Sequence, residues 1–338
     1  MIDTPIFFER NRVGRVYKGG MLFSEFFGDK PEDGFMPEEW IASGVKAINK
    51  TRVRKREGIS KLKDRNIYFD KLLEKYPRSM LGPKKKLRVL VKILDSAIRL
   101  PAQAHPDREF SKKYFKSEYG KTESWILLGK RENAKIYFGF KDGVNEQDFL
   151  DAIEKSKTDE TAMENLMKSF EPEIGDVYLV PAKTVHAIGA GCLILEIQEP
   201  TDFTIQPEYR CGDYMLDEKE MYMGLQKNDA IKCFDFGKAP NAKIEPRTLS
   251  LNDGIMYEKL IGDENTKCFT VNRITLQDES FVINVKNSYG IYIVTNGKGN
   301  LRGDGYIKQI EKGDYFFVPF SLMGKFSIEG NCQVVECY

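Results

Sequence analysis

Two histidines occur in 338 residues, and both stand where they could hold a metal. His105 lies in Pro101–Trp125, PAQAHPDREFSKKYFKSEYGKTESW, and His186 closes GDVYLVPAKTVH at 175–186. Gln103 and His105 are two apart on an extended run, so their side chains point to the same face. Glu123 follows after a loop. The four side chains offer two imidazoles, a carboxylate and an amide oxygen, an open set that leaves room for water or substrate. A single histidine is ordinarily a packing residue, whereas two in such segments, with a glutamate between them, point to a catalytic metal. Zinc suits the mixed nitrogen and oxygen donors and needs no redox chemistry. Iron, manganese, cobalt and nickel would also accept them.

The elements that must position these groups read mainly as strands. LRVLVKILD (87–95) is apolar and β-branched, a buried strand leading into the Gln103–His105 segment. SWILLGK (124–130) and AKIYFGF (134–140) are the next two strands, and strands resume at Val177–Pro181 and Cys192–Gln198. Between Asn145 and Ser169 the apolar spacing becomes helical, which predicts two short helices broken near Thr158. A further helix is predicted over Asn66–Tyr76, after a basic run at Arg52–Arg56 that reads as a solvated face. The stretch 237–247, GKAPNAKIEPR, reads as a linker, and beyond it the chain is all β. Domain boundaries follow: a catalytic half over 1–236 with helical insertions near 30–80 and 145–170, the linker, and a second domain over 248–338.

Composition narrows the function. Charged residues make up 30% and hydrophobic ones 41%, as in an ordinary soluble globular protein. A net charge of +1 gives no basic surface for nucleic acid. The opening MIDTPIFFERNRVGR has no apolar signal core, and no run of 18 apolar residues could span a membrane. The six cysteines show no CxxC spacing and are expected to be reduced thiols. These features lead us to expect a cytoplasmic protein, monomeric or homodimeric, acting on a small molecule.

An internal repeat organises the chain. GDVYLVPAKTVH at 175–186 is echoed by GDYFFVPFSLMG at 313–324, with Gly, Asp, Val and Pro at matching offsets and Gly324 where the first copy has His186. Both copies resemble the second motif of the cupin β-barrel, in which Gly-Asp forms a turn and Pro precedes a ligand-bearing loop. The implied fold is a mainly β bicupin, two cupin or jelly-roll barrels, of which only the first carries a metal.

QAHPD, YGKTESW and PAKTVHAIGAGCLILEIQEPTD, with PEEWIAS at 37–43, resemble the signature segments of type I mannose-6-phosphate isomerases. The likeness extends over most of the chain. It implies zinc held by Gln103, His105, Glu123 and His186. The implied reaction interconverts mannose 6-phosphate and fructose 6-phosphate through a cis-enediol. That chemistry needs an electrophile at the carbonyl, a base beside C2 and a cationic place for the phosphate. Glu196, ten residues after His186, matches a family glutamate near the metal and is the base candidate; burial beside Leu195 and Ile197 would raise its pKa usefully. Its alternative is a glutamate facing outward on a strand. Glu199, across any bend at Pro200, is the weaker choice. Lys121 shares a strand face with Glu123 and lies at the substrate pocket in the family, where it would serve as a mobile charge near the phosphate. Trp125 continues that alternation as wall or core.

Two departures bear on the substrate. Leu100-Pro101-Ala102-Gln103 stands where the family usually has Leu-Ser-x-Gln, so the serine hydroxyl is gone. Gln206 replaces a family arginine that stabilises the charged intermediate. Arg210, four residues on, is the cation that could take its place, with surface pairing as its alternative. The other readings are isomerisation of another or non-phosphorylated aldose, a sugar-binding metal cupin without turnover, and an iron cupin oxygenase, against which GKTESW argues.

Overall fold

The computed structural model describes residues 2–50, 54–252 and 254–338. Arg52 and Val53 of the basic run therefore lie outside the described residues; Arg56, at its other end, pairs with Asp70.

Two large antiparallel sheets dominate. The first has seven strands, ordered 243–244, 177–180, 123–130, 192–198, 90–95, 38–41 and 12–13. The second has eight, ordered 6–7, 315–318, 290–303, 326–337, 271–282, 255–261 and 247–252, with 306–311 paired to 290–303. Neither order returns to its start, so two open sheets stand where two closed barrels were expected. A small sheet of 167–170, 136–140 and 186–188 faces the first.

Every residue of Leu90–Asp95 and Cys192–Gln198 is buried, because both faces of the first sheet are covered. On the back face Val91, Ile93, Leu195 and Ile197 share one apolar layer with Ile291, Ile293 and Phe317 of the second sheet. On the front face Leu94, Trp125, Tyr178 and Ile194 pack against Ile136, Phe138 and Ile188 of the small sheet. The second sheet keeps a separate core on its far side, around Tyr292, Val294, Phe316 and Val334.

The repeat is a repeat of structure. Gly175 and Gly313 both have φ near +92°, which a side chain would strain. Asp176 and Asp314 each accept a 3.0 Å bond from the backbone N–H three residues upstream, Glu173 and Glu311. The strands that follow pair alike, Val180 with Glu123 and Val318 with Gly290.

Some expectations shift. The helix placed over 66–76 is Phe69–Lys75, and Pro77 opens a separate helix, Pro77–Leu81, since proline suits a first turn and not an interior. In 145–169 the first helix is Glu146–Lys155, closed by a capping box between Asn145 and Asp148. The second is only a 3₁₀ turn, Glu164–Leu166, leading into the strand Met167–Phe170. In so short a run the apolar spacing of Met163, Met167 and Phe170 does not separate helix from strand. Within 237–247, Lys243 and Ile244 pair with Tyr178 and Val177 at the edge of the first sheet. No helix among the described residues is long and apolar enough to cross a membrane.

Candidate active site

The metal candidates come from opposing walls. Glu123 opens the strand Glu123–Lys130 on the front of the first sheet, and His186 opens the strand His186–Ile188 of the small sheet. The segment with Gln103 and His105 runs beside His186: Gln103 and His186 exchange both backbone hydrogen bonds, each 2.9 Å. Ligand atoms of His105, Glu123 and His186 all lie within 4.8 Å of one another, and all three residues are buried. Gln103 and Glu123 line a cavity beside this cluster.

The histidines are oriented as ligands. His105 Nδ1 lies 2.9 Å from the Phe203 carbonyl and His186 Nδ1 2.9 Å from the Thr184 carbonyl. A carbonyl only accepts, so each Nδ1 carries the proton and each Nε2 presents its lone pair inward. His105 Nε2 is 3.2 Å from Glu123 Oε2, and His186 Nε2 is 3.4 Å from Glu123 Oε1. His186 Nε2 and Glu123 Oε2 have no hydrogen-bond partner although both are buried, the Lys121 ammonium standing 3.2 Å from Glu123 Oε2 as its ion-pair partner. Buried polar atoms are ordinarily satisfied, so these inward-facing donors fit a divalent cation. Lys121 Nζ donates to His105 Nε2 at 2.8 Å and would have to yield that lone pair to a metal, which its flexible stem permits.

The electrostatics suit ligation. Burial pushes the His105 imidazole down to about 3, with Lys121 adding and Glu123 opposing; burial also lowers His186. Both are neutral near pH 7, the form that binds metals. Burial alone would raise Glu123, but Lys121 and His105 outweigh it and hold the carboxyl well below its usual range. Trp125, fully buried, donates from Nε1 to Glu123 Oε1 at 3.1 Å and meets the His186 ring edge-on, so it is both wall and support.

Beside these residues opens a cavity of about 650 Å³. Glu196 lines it, 3.2 Å from Lys92 Nζ. The ladder explains the meeting: Trp40, Lys92, Glu196 and Trp125 stand directly opposite one another on four neighbouring strands and share the front face. Burial raises the Glu196 carboxyl above its ordinary value, and Lys92 opposes that. Lys121 lines the cavity too, as do Pro101 and Gln206.

Two sequence candidates lie elsewhere. Arg210 sits in a short hairpin, its Nε donating to the Lys157 carbonyl at 2.9 Å, and it is not among the cavity's walls. The hairpin and the Lys157 contact hold Arg210 off the cavity wall, and the cation does not replace the missing arginine. Glu199 accepts from Arg108 Nε at 2.8 Å and from the Thr122 N–H, also outside the cavity.

The sequence reading did not single out Arg15, Tyr17, Glu38, Lys92 or Asp202, which form the wall beyond Glu196. Glu38 accepts from Arg15 Nε and Tyr17 OH, both 2.8 Å, and from Trp40 Nε1 at 2.7 Å. Arg15 also donates to Asp202 at 2.8 Å. Burial would raise Glu38, but Arg15 and Lys92 hold it well below the carboxylate range. A lysine in the middle of the apolar run LRVLVKILD was the available signal for Lys92, since an unpaired charge is not left in a buried strand. Glu38 and Arg15 carried no comparable mark.

The family model for the mannose-6-phosphate isomerase cupin domain matches residues 264–338. The chain is 29% identical over 249 residues to mannose-6-phosphate isomerase ManA of Bacillus subtilis (strain 168), covering 73% of each chain. It is 26% identical over 341 residues to the mannose-6-phosphate isomerase of Streptococcus mutans, covering 99% of this chain and 98% of that one. Its fold matches the crystal structure of the mannose 6-phosphate isomerase from Bacillus subtilis with a TM-score of 0.81, over 99% of this chain and 100% of that one, at 23% identity. Full-length similarity, the matched C-terminal domain and the converging His-Glu-His donors agree: the chain is similar along its length to mannose-6-phosphate isomerases, and residues 264–338 match their cupin domain.

Proposed function

We infer that this protein is a metal-dependent mannose-6-phosphate isomerase that interconverts mannose 6-phosphate and fructose 6-phosphate. The observation that carries the reading is that Glu123, on which the donors of His105 and His186 converge, lines one cavity with a buried, lysine-paired Glu196, in a chain similar to such isomerases along its length. The two halves are read as a bicupin with helical insertions near 30–80 and 145–170, divided at 237–247 into a catalytic half and a metal-free one. The shared Gly-Asp turn and strand register support this. Six free cysteines, five of them buried, agree with a cytoplasmic setting.

Gln103, His105, Glu123 and His186 would hold the metal, with zinc the first choice for two imidazoles and oxygen donors. When bound, the ion supplies Lewis acidity toward the sugar's carbonyl oxygen. Glu196 takes the proton from C2 of the open-chain aldose and returns it to C1, so a cis-enediol connects the two sugars. Burial raises its proton affinity toward that of a working base. Lys92 keeps the carboxylate charged and aimed, because its ammonium is buried among Glu196, Glu38 and Asp202. Lys121 places a second cation at the metal end, where negative charge develops on the substrate oxygens. Lys50 and Lys219 line the cavity on its exposed side and are the candidate cations for the phosphate, Lys50 being paired with Asp217 and Glu220.

Proton NMR of the metal-replete protein with mannose 6-phosphate in deuterium oxide tests the reading. Metal-dependent formation of fructose 6-phosphate is expected, with deuterium entering at C1 of the ketose and at C2 of the recovered mannose 6-phosphate. Saturable sugar binding with no C2 exchange would instead establish a binding protein. Turnover of another aldose alone would place the consequence of Pro101 and Gln206 in substrate choice.

A further inference from the structure

We propose that Tyr315, in the C-terminal sheet, is a positioning residue for the active site, acting through Glu39 on Glu38. The proposal rests on the isomerase reading.

Glu38 and Glu39 are consecutive on the strand Glu38–Ile41, and neighbours on a strand face opposite ways. Glu38 faces the cavity, held by Arg15, Tyr17 and Trp40. Glu39 faces the other sheet and is fully buried. Its Oε1 accepts from the Asn11 N–H at 2.7 Å and from Tyr315 OH at 2.5 Å, and its Oε2 lies 3.0 Å from Arg12 Nη1. Tyr315 is part of the second copy of the repeat and sits in the apolar layer between the sheets.

This contact matters because the strand it anchors is short and lies one strand from the edge of its sheet. Glu38–Ile41 is four residues long, and its outer neighbour, Arg12–Val13, has only two. The segment from Asn11 to Tyr17 is fastened at one end to Glu39 and at the other to Glu38. A short strand moves nearly as a unit, so a displacement of the carboxylate on its back is a displacement of the one on its front. Glu38 Oε2 lies 4.0 Å from Lys92 Nζ, whose other partner is Glu196 at 3.2 Å. Without the Tyr315 hydroxyl, a buried carboxylate loses a donor, and the strand must shift to compensate. The metal-free sheet thus holds part of the frame for the base.

Tyr315→Phe tests this, with Tyr292→Phe as the control. Tyr292 is equally buried and donates to Glu336 at 2.8 Å, but it lies in the separate core of the second sheet. Both variants should lose comparable thermal stability. Tyr315→Phe should lower kcat on the order of three- to tenfold with KM for mannose 6-phosphate little changed, while Tyr292→Phe changes neither. A second readout needs no turnover. The chain has two tryptophans, Trp40 bonded to Glu38 and Trp125 bonded to Glu123. In protein labelled with 5-fluorotryptophan, Tyr315→Phe should shift the fluorine resonance of Trp40 and leave that of Trp125, and Tyr292→Phe should move neither. An unchanged kcat, or equal losses of kcat in both variants, overturns the proposal. If the wild-type protein does not isomerise the sugar, the functional reading fails, and a stationary Trp40 resonance then overturns the coupling separately. Should Tyr315→Phe not fold, Glu39→Gln is read by the same two measurements.

Discussion

Rung by rung, the two sheets place different residues at matching sites. Through the shared Gly-Asp turn, Val180 corresponds to Val318, and the residue opposite each is Glu123 in one sheet and Gly290 in the other. His186 corresponds to Gly324. One rung along, Trp125 corresponds to Tyr292, Glu196 to Glu336 and Lys92 to Asn272. Both sheets therefore bury a glutamate at the same register, with opposite surroundings. Glu196 has a lysine at 3.2 Å and a cavity in front of it. Glu336 accepts from Tyr292 OH at 2.8 Å, Asn272 Nδ2 at 2.7 Å and Tyr257 OH at 3.2 Å, with no charged partner. A buried carboxylate surrounded by neutral donors is a structural group; one beside a cation, metal donors and open space can exchange a proton. Two glycines in place of the proposed ligands Glu123 and His186 separate the sheets more sharply than any change of fold.

The largest effect should come from the ligands. His105→Ala or His186→Ala should lose bound metal and activity together, measured by metal analysis alongside turnover; full activity at normal metal content would refute the ligand set. The converse change, Gly324→His, should create no metal site, because Gly290 offers no carboxylate opposite it. Next comes the matched pair of glutamates. Glu196→Gln should retain metal while kcat falls by roughly two to four orders of magnitude. Glu336→Gln should leave kcat alone and change unfolding free energy by about 1 kcal/mol. Normal turnover by Glu196→Gln would remove it from the mechanism.

A smaller effect concerns pH. As the proposed base Glu196 would act ionised, and burial raises its pKa, so kcat/KM should fall on the acid side through a pKa above the ordinary carboxylate value of 4.5. Lys92 opposes that rise, so Lys92→Met should move the limb to higher pH; an unmoved limb would mean that another group titrates. The smallest effect is on stability. Glu38 is held well below 4.5 by Arg15 and Lys92. Its contribution is therefore fully present above that value and is lost as pH falls from there toward the depressed folded pKa. Thermal melts below pH 4.5 should show this loss in the wild type, and Glu38→Gln should remove that part of the dependence.

Local sequence determined a great deal here. The scarcity of histidine, the two-residue spacing of Gln103 and His105, and the Gly-Asp repeat are short-range features; the two histidines converge on Glu123, and the repeat survives as matching turns. Strands such as Cys192–Gln198 were legible because both faces are apolar or paired, which leaves an unbroken buried run. Tertiary structure alone decided the rest. Arg210 and Lys92 are both cations near plausible segments, yet a hairpin carries one away to Lys157 and a ladder rung sets the other against Glu196. Ile6 and Phe7 complete the far sheet by pairing with Phe317 and Phe316, across more than 300 residues of chain. Tyr315 reaches Glu39 from that sheet in the same way. The physical reason is that composition and period specify which face a residue wants buried, whereas the partner on that face is chosen by strand register and sheet packing.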